Sequence, residues 1–357
     1  MANVIDESFD FLADTPLSSV DIPERFLAPS KKCAVLVSIR NEGISIVEWI
    51  AYYRALGVDS IFVYTNDNTD ESDLLLDSLH ENGLITLTRN ILGKGVSPQL
   101  KAFRHALSCS HQLWEHDWVG ILDADEFLVP VLGGNFIGDV KSYLEKIESD
   151  FGASAVCLNW KWFSGDLRFG RAKAGVFSAY KNSVTNNHIK MIFRIRDVKD
   201  IVSPHSVKLE KGYYAIDGRG RSITLPTSVS EIDYSLGQIN HYWQKSFEEF
   251  IIKRERGSGA SGAEKIIRSV DSFFEWWSEG TEDNMPPEDF LKKVYEQVDS
   301  IRKYPGVLEG EEKVVGFYDR FISERGVELH NLYANGFEKN MSVKNGMMYY
   351  AKKYLGK

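Results

Sequence analysis

Two aspartates one residue apart, Asp123 and Asp125 in the stretch WVGILDADEFLVP, are the residues of this chain best placed to do chemistry. Their carboxylates can share one hard cation, or hold it one directly and one through water, and neither alone would hold Mg²⁺ or Mn²⁺ well. A cation held this loosely keeps open positions for water and phosphate oxygens, so the ligand such a pair calls for is a diphosphate. A pair of solvated turn acids is the competing reading. The run before the pair argues against it: Val119, Gly120, Ile121 and Leu122 are apolar or small without a break, as in a strand buried on both faces. Carboxylates would not stay inside such a sheet. The strand is therefore predicted to end at Asp123, and in an open α/β sheet ligands bind at the carboxyl ends of the strands.

The elements around that strand follow from periodicity. CAVLVSI, Cys33 to Ile39, reads as a first buried strand whose carboxyl end is crowded by Arg40, Asn41 and Glu42. ISIVEWIAYYRALG then repeats apolar residues at helical spacing up to Gly57. Ile61 to Tyr64 form a second strand, Thr69 or Asp70 is expected to cap the next helix, and Leu84 to Arg89 form a third strand. Asn66 and Asp67, between the second strand and its helix, suit a ribose or a base edge, though Asn and Asp are also common turn formers. A helix opens near Ser97 or Pro98, with Gln99, Lys101 and Arg104 in its first two turns. Cations there oppose the helix dipole unless a bound phosphate compensates. Strand and helix thus alternate from Cys33 to Phe127, which predicts an α/β fold with a mostly parallel sheet and helices on both faces.

Beyond Pro130 the pattern changes. VKSYLEKIES reads as a helix and ASAVCLNWKWF as a strand, and the polar stretch from Ser164 to His188 has the look of an acceptor-site loop. HIKMIFRI alternates, with Ile189, Met191, Phe193 and Ile195 on one face and Lys190 on the other, as in a half-buried strand. From Ser246 the chain is predicted to be helical, with a last helix from Glu311 to about Asn335, and the glycine-rich Gly257 to Gly262 is read as a loose connector. The expected organisation is an N-terminal arm, 1–30; a catalytic domain, 31–245, whose halves meet at residue 130; and a helical C-terminal region, 246–357.

Composition narrows the function classes. The chain has 357 residues, 43% hydrophobic and 26% charged, as in a soluble globular protein. Its net charge of −9 argues against a general nucleic-acid binder, which needs a cationic face. Cys33, Cys109 and Cys157 are odd in number and carry no zinc spacing. The acidic start lacks a basic, then apolar leader pattern, and no window holds about 18 apolar residues. A cytoplasmic protein is expected, with association at the inner face of a membrane left open. Neither a dinucleotide-binding nor a Walker-type glycine motif supports those alternatives.

With these residues in view, the chain resembles the GT-A glycosyltransferases, particularly the family 2-like group adjoining glycosyltransferase family 92. The likeness covers roughly residues 31 to 257 and rests on VSIRNEGISIVEWIAYYRALGVDSIFVYTNDNTD, WVGILDADEFLVP, HIKMIFR and INHYWQKSFEEFIIKRERG in that order. The resemblance implies a GT-A, Rossmann-like domain with a helical C-terminal extension. It also implies a nucleotide-sugar donor, usually a UDP-hexose, bridged by Mn²⁺ or Mg²⁺ to Asp123 and Asp125, with His241 returning to the metal. Ser38, Arg40, Glu42 and Asn66 or Asp67 look like nucleotide contacts, and Gln99, Lys101, Lys190 and Lys245 complete the set assigned to the donor. The acceptor is expected to be a hydroxyl of a glycan or lipid-linked saccharide, and the donor sugar a hexose such as galactose.

Transfer through an oxocarbenium-like state with inversion needs a carboxylate to take the acceptor proton. Asp166 in WFSGDLRFG is the candidate, with Glu126 and Asp233 as competitors, while Trp160, Trp162 and Phe163 could stack on sugar rings. A noncatalytic sugar- or nucleotide-binding module and a nucleotidyltransferase are the other readings.

Overall fold

The computed structural model describes residues 25 and 27–350, except 94, 258–267, 276–279 and 283–285. Most of the expected arm, the connector residues 258–262, and Trp276 and Trp277 lie outside the described residues. In chain order the main sheet contains β1 (Lys31–Ile39), β2 (Ser60–Thr65), β3 (Thr86–Arg89), β4 (His116–Ile121), β5 (Glu126–Leu132), β6 (Ala155–Phe163), β7 (Asn182–Arg194) and β8 (Gly237–His241). Across the sheet the order is β3-β2-β1-β4-β7-β6-β8-β5. The first four strands are parallel, as their alternation with helices requires. Past β4 the sheet is mixed: β7 is antiparallel to β4 and β6, and β5 is antiparallel to β8.

Helices cover both faces. On one lie α1 (Gly43–Ala55), α2 (Ser72–Glu81) and α4 (Val140–Phe151), and on the other α3 (Pro98–Cys109). Ser97 caps α3 by accepting from the Leu100 N–H, as its sequence position suggests. The start of α2 differs from expectation. Its cap residue is Glu71 in the left-handed region, with no side-chain cap, because the Asp70 carboxylate instead takes the backbone N–H groups of Gly43 and Ser72. That acid stitches the loops after β1 and β2 together.

The C-terminal helices are α5 (Phe247–Arg256), α6 (Glu288–Ile301) and α7 (Val307–Tyr350), with a short turn of helix over Asp271–Glu275. Phe290, Val294, Val298, Val314 and Tyr318 join the same core as α1, so α6 and α7 complete that face of the sheet. The last helix is longer at both ends than its sequence suggests. Its glycines are not stops: a Cβ on Gly310 would sit 2.6 Å from the Leu75 backbone and one on Gly336 would sit 2.3 Å from Phe274. They let α7 lie directly against its neighbours. A second correction concerns β7. Residues 189–193 are all buried, so this part of the strand is covered on both faces and not half-buried; it lies inside the sheet, and its buried cation, Lys190, is neutralised there.

The loop after β4 is held from below by α1. Trp49 Nε1 donates to the carbonyls of Asp123 and Glu126, both at 3.0 Å, and the Tyr53 hydroxyl donates to Glu126 O while accepting from the Leu128 N–H. Tyr52 donates to Leu128 O at 2.6 Å. All three side chains are fully buried. The aromatic run in EWIAYYR thus supplies both apolar area and the donors that the irregular loop needs. Trp49→Phe is expected to leave two buried carbonyls short of a donor and to cost about 1–3 kcal/mol, read as a lower urea midpoint with unchanged slope.

Candidate functional site

Strand β4 ends at Ile121, two residues before the predicted end, and β5 begins at Glu126, so Leu122 to Asp125 form a tight loop at the carboxyl edge of the parallel strands. The loop is closed by its own acid. Glu126 accepts from the Asp123 N–H at 2.8 Å, and the Glu126 N–H donates to Asp123 O at 3.0 Å. Tyr242, just past β8, donates its backbone N–H to Asp125 O at 2.8 Å. Both aspartate side chains therefore point where the backbone directs them, into a cavity of about 270 Å³.

Each aspartate has its own ammonium. Lys190 of β7, with no exposed side-chain area, lies 2.9 Å from Asp123 and 3.2 Å from Glu126. Lys253 of α5 pairs with Asp125 on the other side. Gln99 also donates to Asp123 at 3.0 Å, and the His241 Nε2–H approaches Asp125 at 3.5 Å. Burial alone would push both carboxyls up. Lys190 outweighs it at Asp123, and Lys253 with His241 outweighs it more strongly at Asp125, so both stay ionised below the usual carboxylate range. Glu126 goes the other way: burial raises it to about 7 against the pull of Lys190.

Of the residues expected at the site, Ser38, Arg40, Glu42, Asn66, Gln99, Asp123, Asp125 and His241 line this one cavity. Others do not. Asp67 is exposed in a left-handed turn and offers its carbonyl to Arg40. Lys101 reaches back to the Ile91 carbonyl, and Lys190 sits behind Asp123 rather than on the cavity. Lys245 donates to Ser45 at 2.7 Å and lines a small neighbouring pocket beside Glu42. Asp166 is exposed, in a left-handed turn, and accepts from Asn182 at 2.8 Å, outside the cavity. Its competitors are also placed elsewhere: Glu126 is sealed under the loop and Asp233 pairs with Arg219. Trp160 lines the cavity, whereas Phe163 is core, stacked on Tyr242.

The structure adds a cationic wall that the sequence reading passed over. Lys253 and Arg256, three apart on one face of α5, line the cavity with Arg268 and Trp243. Arg256 pairs with Glu42 at 2.5 Å and donates to the Arg40 carbonyl. Arg268 stacks over Trp243 at 5.5 Å and has no carboxylate partner among the described residues. The i, i+3 spacing in KRERG was the readable signal for the first two. Nothing in the sequence pointed to Arg268, which arrives from another segment.

The donor set suits a divalent cation in part. Asp123 and Asp125 give hard carboxylate oxygens on one cavity, and His241 keeps a buried Nδ1 without a partner among the described residues. Among the described residues no three His, Cys, Asp or Glu side chains converge as a ready-made cage, so Asp123, Asp125 and His241 are not gathered as a triad. Mg²⁺ or Mn²⁺ would rest on the two carboxylates and fill its other positions with water and phosphate oxygens.

A parallel half-sheet continuing into mixed strands, with an Asp-x-Asp loop opening at its carboxyl edge, defines a GT-A-type glycosyltransferase fold. A model of glycosyltransferase family 92 matches residues 41–300, and the chain belongs to that family. A family 92 protein of Ricinus communis is 31% identical over 114 residues, which is 32% of this chain and 20% of that protein. A second alignment to the Ricinus protein gives 24% identity over 263 residues, 69% of this chain and 39% of the relative. One from Oryza sativa subsp. japonica is 31% identical over 94 residues, covering 26% of this chain and 15% of that protein. The chain thus spans at most 39% of the length of the curated relatives it matches. Among solved structures, S. aureus TarS 1–349 aligns with 83% of this chain and 91% of its own at 10% identity, TM-score 0.32. Among the described residues no helix is long and apolar enough to cross a membrane.

Removing the buried ammonium under the loop tests the electrostatics directly. Lys190→Met leaves Asp123 and Glu126 facing each other uncompensated, and a loss of about 3–5 kcal/mol is expected from urea unfolding.

Proposed function

We propose that this chain transfers a hexose from a UDP-sugar to a hydroxyl of a glycan or lipid-linked saccharide, with the donor diphosphate lying between the aspartate loop and the cationic wall. The observation that carries the reading is the pairing of opposite charges across one cavity, Asp123 and Asp125 on one side and Lys253, Arg256 and Arg268 on the other. Membership of family 92 supports it. A diphosphate needs fixed positive charge along its oxygens, and guanidinium groups supply it in a planar, paired geometry. Among the described residues Arg268 has that charge uncommitted to any acid.

The roles of the residues follow. Asp123 and Asp125 would hold a divalent cation, Mn²⁺ or Mg²⁺, which when bound offsets charge on the diphosphate. Lys253, paired with Asp125, would then be released to face the phosphates. Asn66 and Ser38 lie at the mouth of β2 and β1, where a base and ribose extend along the strand ends. Trp160 and Trp243 offer apolar faces for the sugar. The proposed course is inverting, in the cytoplasm or at the inner face of a membrane.

The test is UDP release from UDP-galactose, UDP-glucose and UDP-N-acetylglucosamine with Mn²⁺. Turnover of one of them is expected, falling by at least about 100-fold in Asp125→Asn, in line with the loss of one charge-stabilising group. A variant that turns over as fast as the parent sinks the reading. Nucleotide uptake by calorimetry without turnover of any of the three marks a noncatalytic module instead.

A further inference from the structure

Glycosyl transfer with inversion requires a proton acceptor beside the incoming hydroxyl. Among the described residues the cavity's candidates are nearly all committed. Asp123 faces Gln99 and Lys190, Asp125 faces Lys253 and His241, and Glu42 is tied to Arg256. His241 directs Nε2–H at Asp125, and its Nδ1 is buried out of reach.

His205 is different. It sits at the turn of the hairpin formed by Val198–Ser203 and Ser206–Leu209 and lines the cavity together with Asp123, Asp125 and Trp160. Its Nδ1 lies 2.8 Å from the Ile189 carbonyl. A carbonyl only accepts, so Nδ1 carries the hydrogen and Nε2 carries the lone pair. Nε2 has no partner among the described residues. The ring is braced edge-on against Trp160 at 5.2 Å. The charged and titratable groups that face it are Lys190, Asp123 and His188, the last with its ring 6.3 Å away.

We propose that His205 is the general base of this site, its Nε2 taking the proton of the acceptor hydroxyl. The inference rests on the glycosyltransferase reading and fills the role that Asp166, outside the cavity, is not placed to fill. As the acceptor oxygen bonds the anomeric carbon, its proton passes to Nε2. The bond from that carbon to the diphosphate oxygen breaks, its electron pair leaves with UDP, and the imidazolium returns its proton to water.

His205→Asn keeps a donor for the Ile189 carbonyl but has no basic nitrogen. Its effect is read by comparing two small acceptors with UDP-galactose as donor: water, which must lose a proton on attack, and azide, which has none to lose. UDP release to water is expected to fall about 100-fold, while release to azide and UDP affinity by calorimetry change less than about threefold. Equal losses with both acceptors, or weakened UDP binding, assign His205 to donor binding or structure and overturn the proposal. So does an undiminished rate with water. Failure of the glycosyltransferase reading itself looks different, as absence of UDP release by the unsubstituted protein with any UDP-hexose, and it removes this inference too.

Discussion

Two carboxylates on one four-residue loop, Asp125 buried and Asp123 half-buried, repel each other and lose hydration, and the structure depends on how it compensates them. It does so from opposite directions. Lys190 comes from β7, inside the sheet, and Lys253 comes from α5, 128 residues along the chain from Asp125. Because one cation is sealed and the other lines the cavity, the two aspartates are unequal despite their adjacency. Asp123 is built into the framework through Lys190, Gln99 and the Glu126 clasp. Asp125 has a partner on a cavity wall, where a ligand can compete for it.

The same constraint explains the surroundings of the loop. A chain leaving a buried strand has unpaired backbone groups, and α1 places Trp49, Tyr52 and Tyr53 so that one aromatic layer fills the core and satisfies those groups together. Helices α6 and α7 then cover the outer side of α1 within a shared core. Through this packing α6 and α7 bear on the site without lining its cavity. Of the C-terminal half, β8 brings His241, and α5 with the segment holding Arg268 brings the cationic wall.

Much of this was legible in order along the chain. The parallel half of the sheet, the helices between its strands, and the gathering of Arg40, Glu42, Asn66 and the two aspartates at one edge follow from buried apolar runs ending in polar residues, while Ser38 came from the family resemblance and Gln99 from the start of a helix. Readings that relied on residue type alone fared less well. Asp166 had the right chemistry and the wrong place, Lys101 points to a nearby carbonyl, and Asp67 spends its backbone on Arg40. Alternation put Lys190 opposite the apolar face, and it was counted among the donor contacts; that opposite face is itself buried, and the lysine serves the aspartate instead.

By itself the sequence determined the elements, the edge of the sheet where chemistry collects, and the acid pair at its centre, because those are local consequences of period and of where a buried run meets polar residues. Which cations neutralise the pair, which acids lie outside the cavity, and which histidine stands on the cavity beside Trp160 were decided only in three dimensions. The physical reason is that charge compensation is set by distance and burial, not by spacing along the chain. Residues 123, 190, 205, 253 and 268 meet only once the sheet, the hairpin and the last helices have closed around one opening.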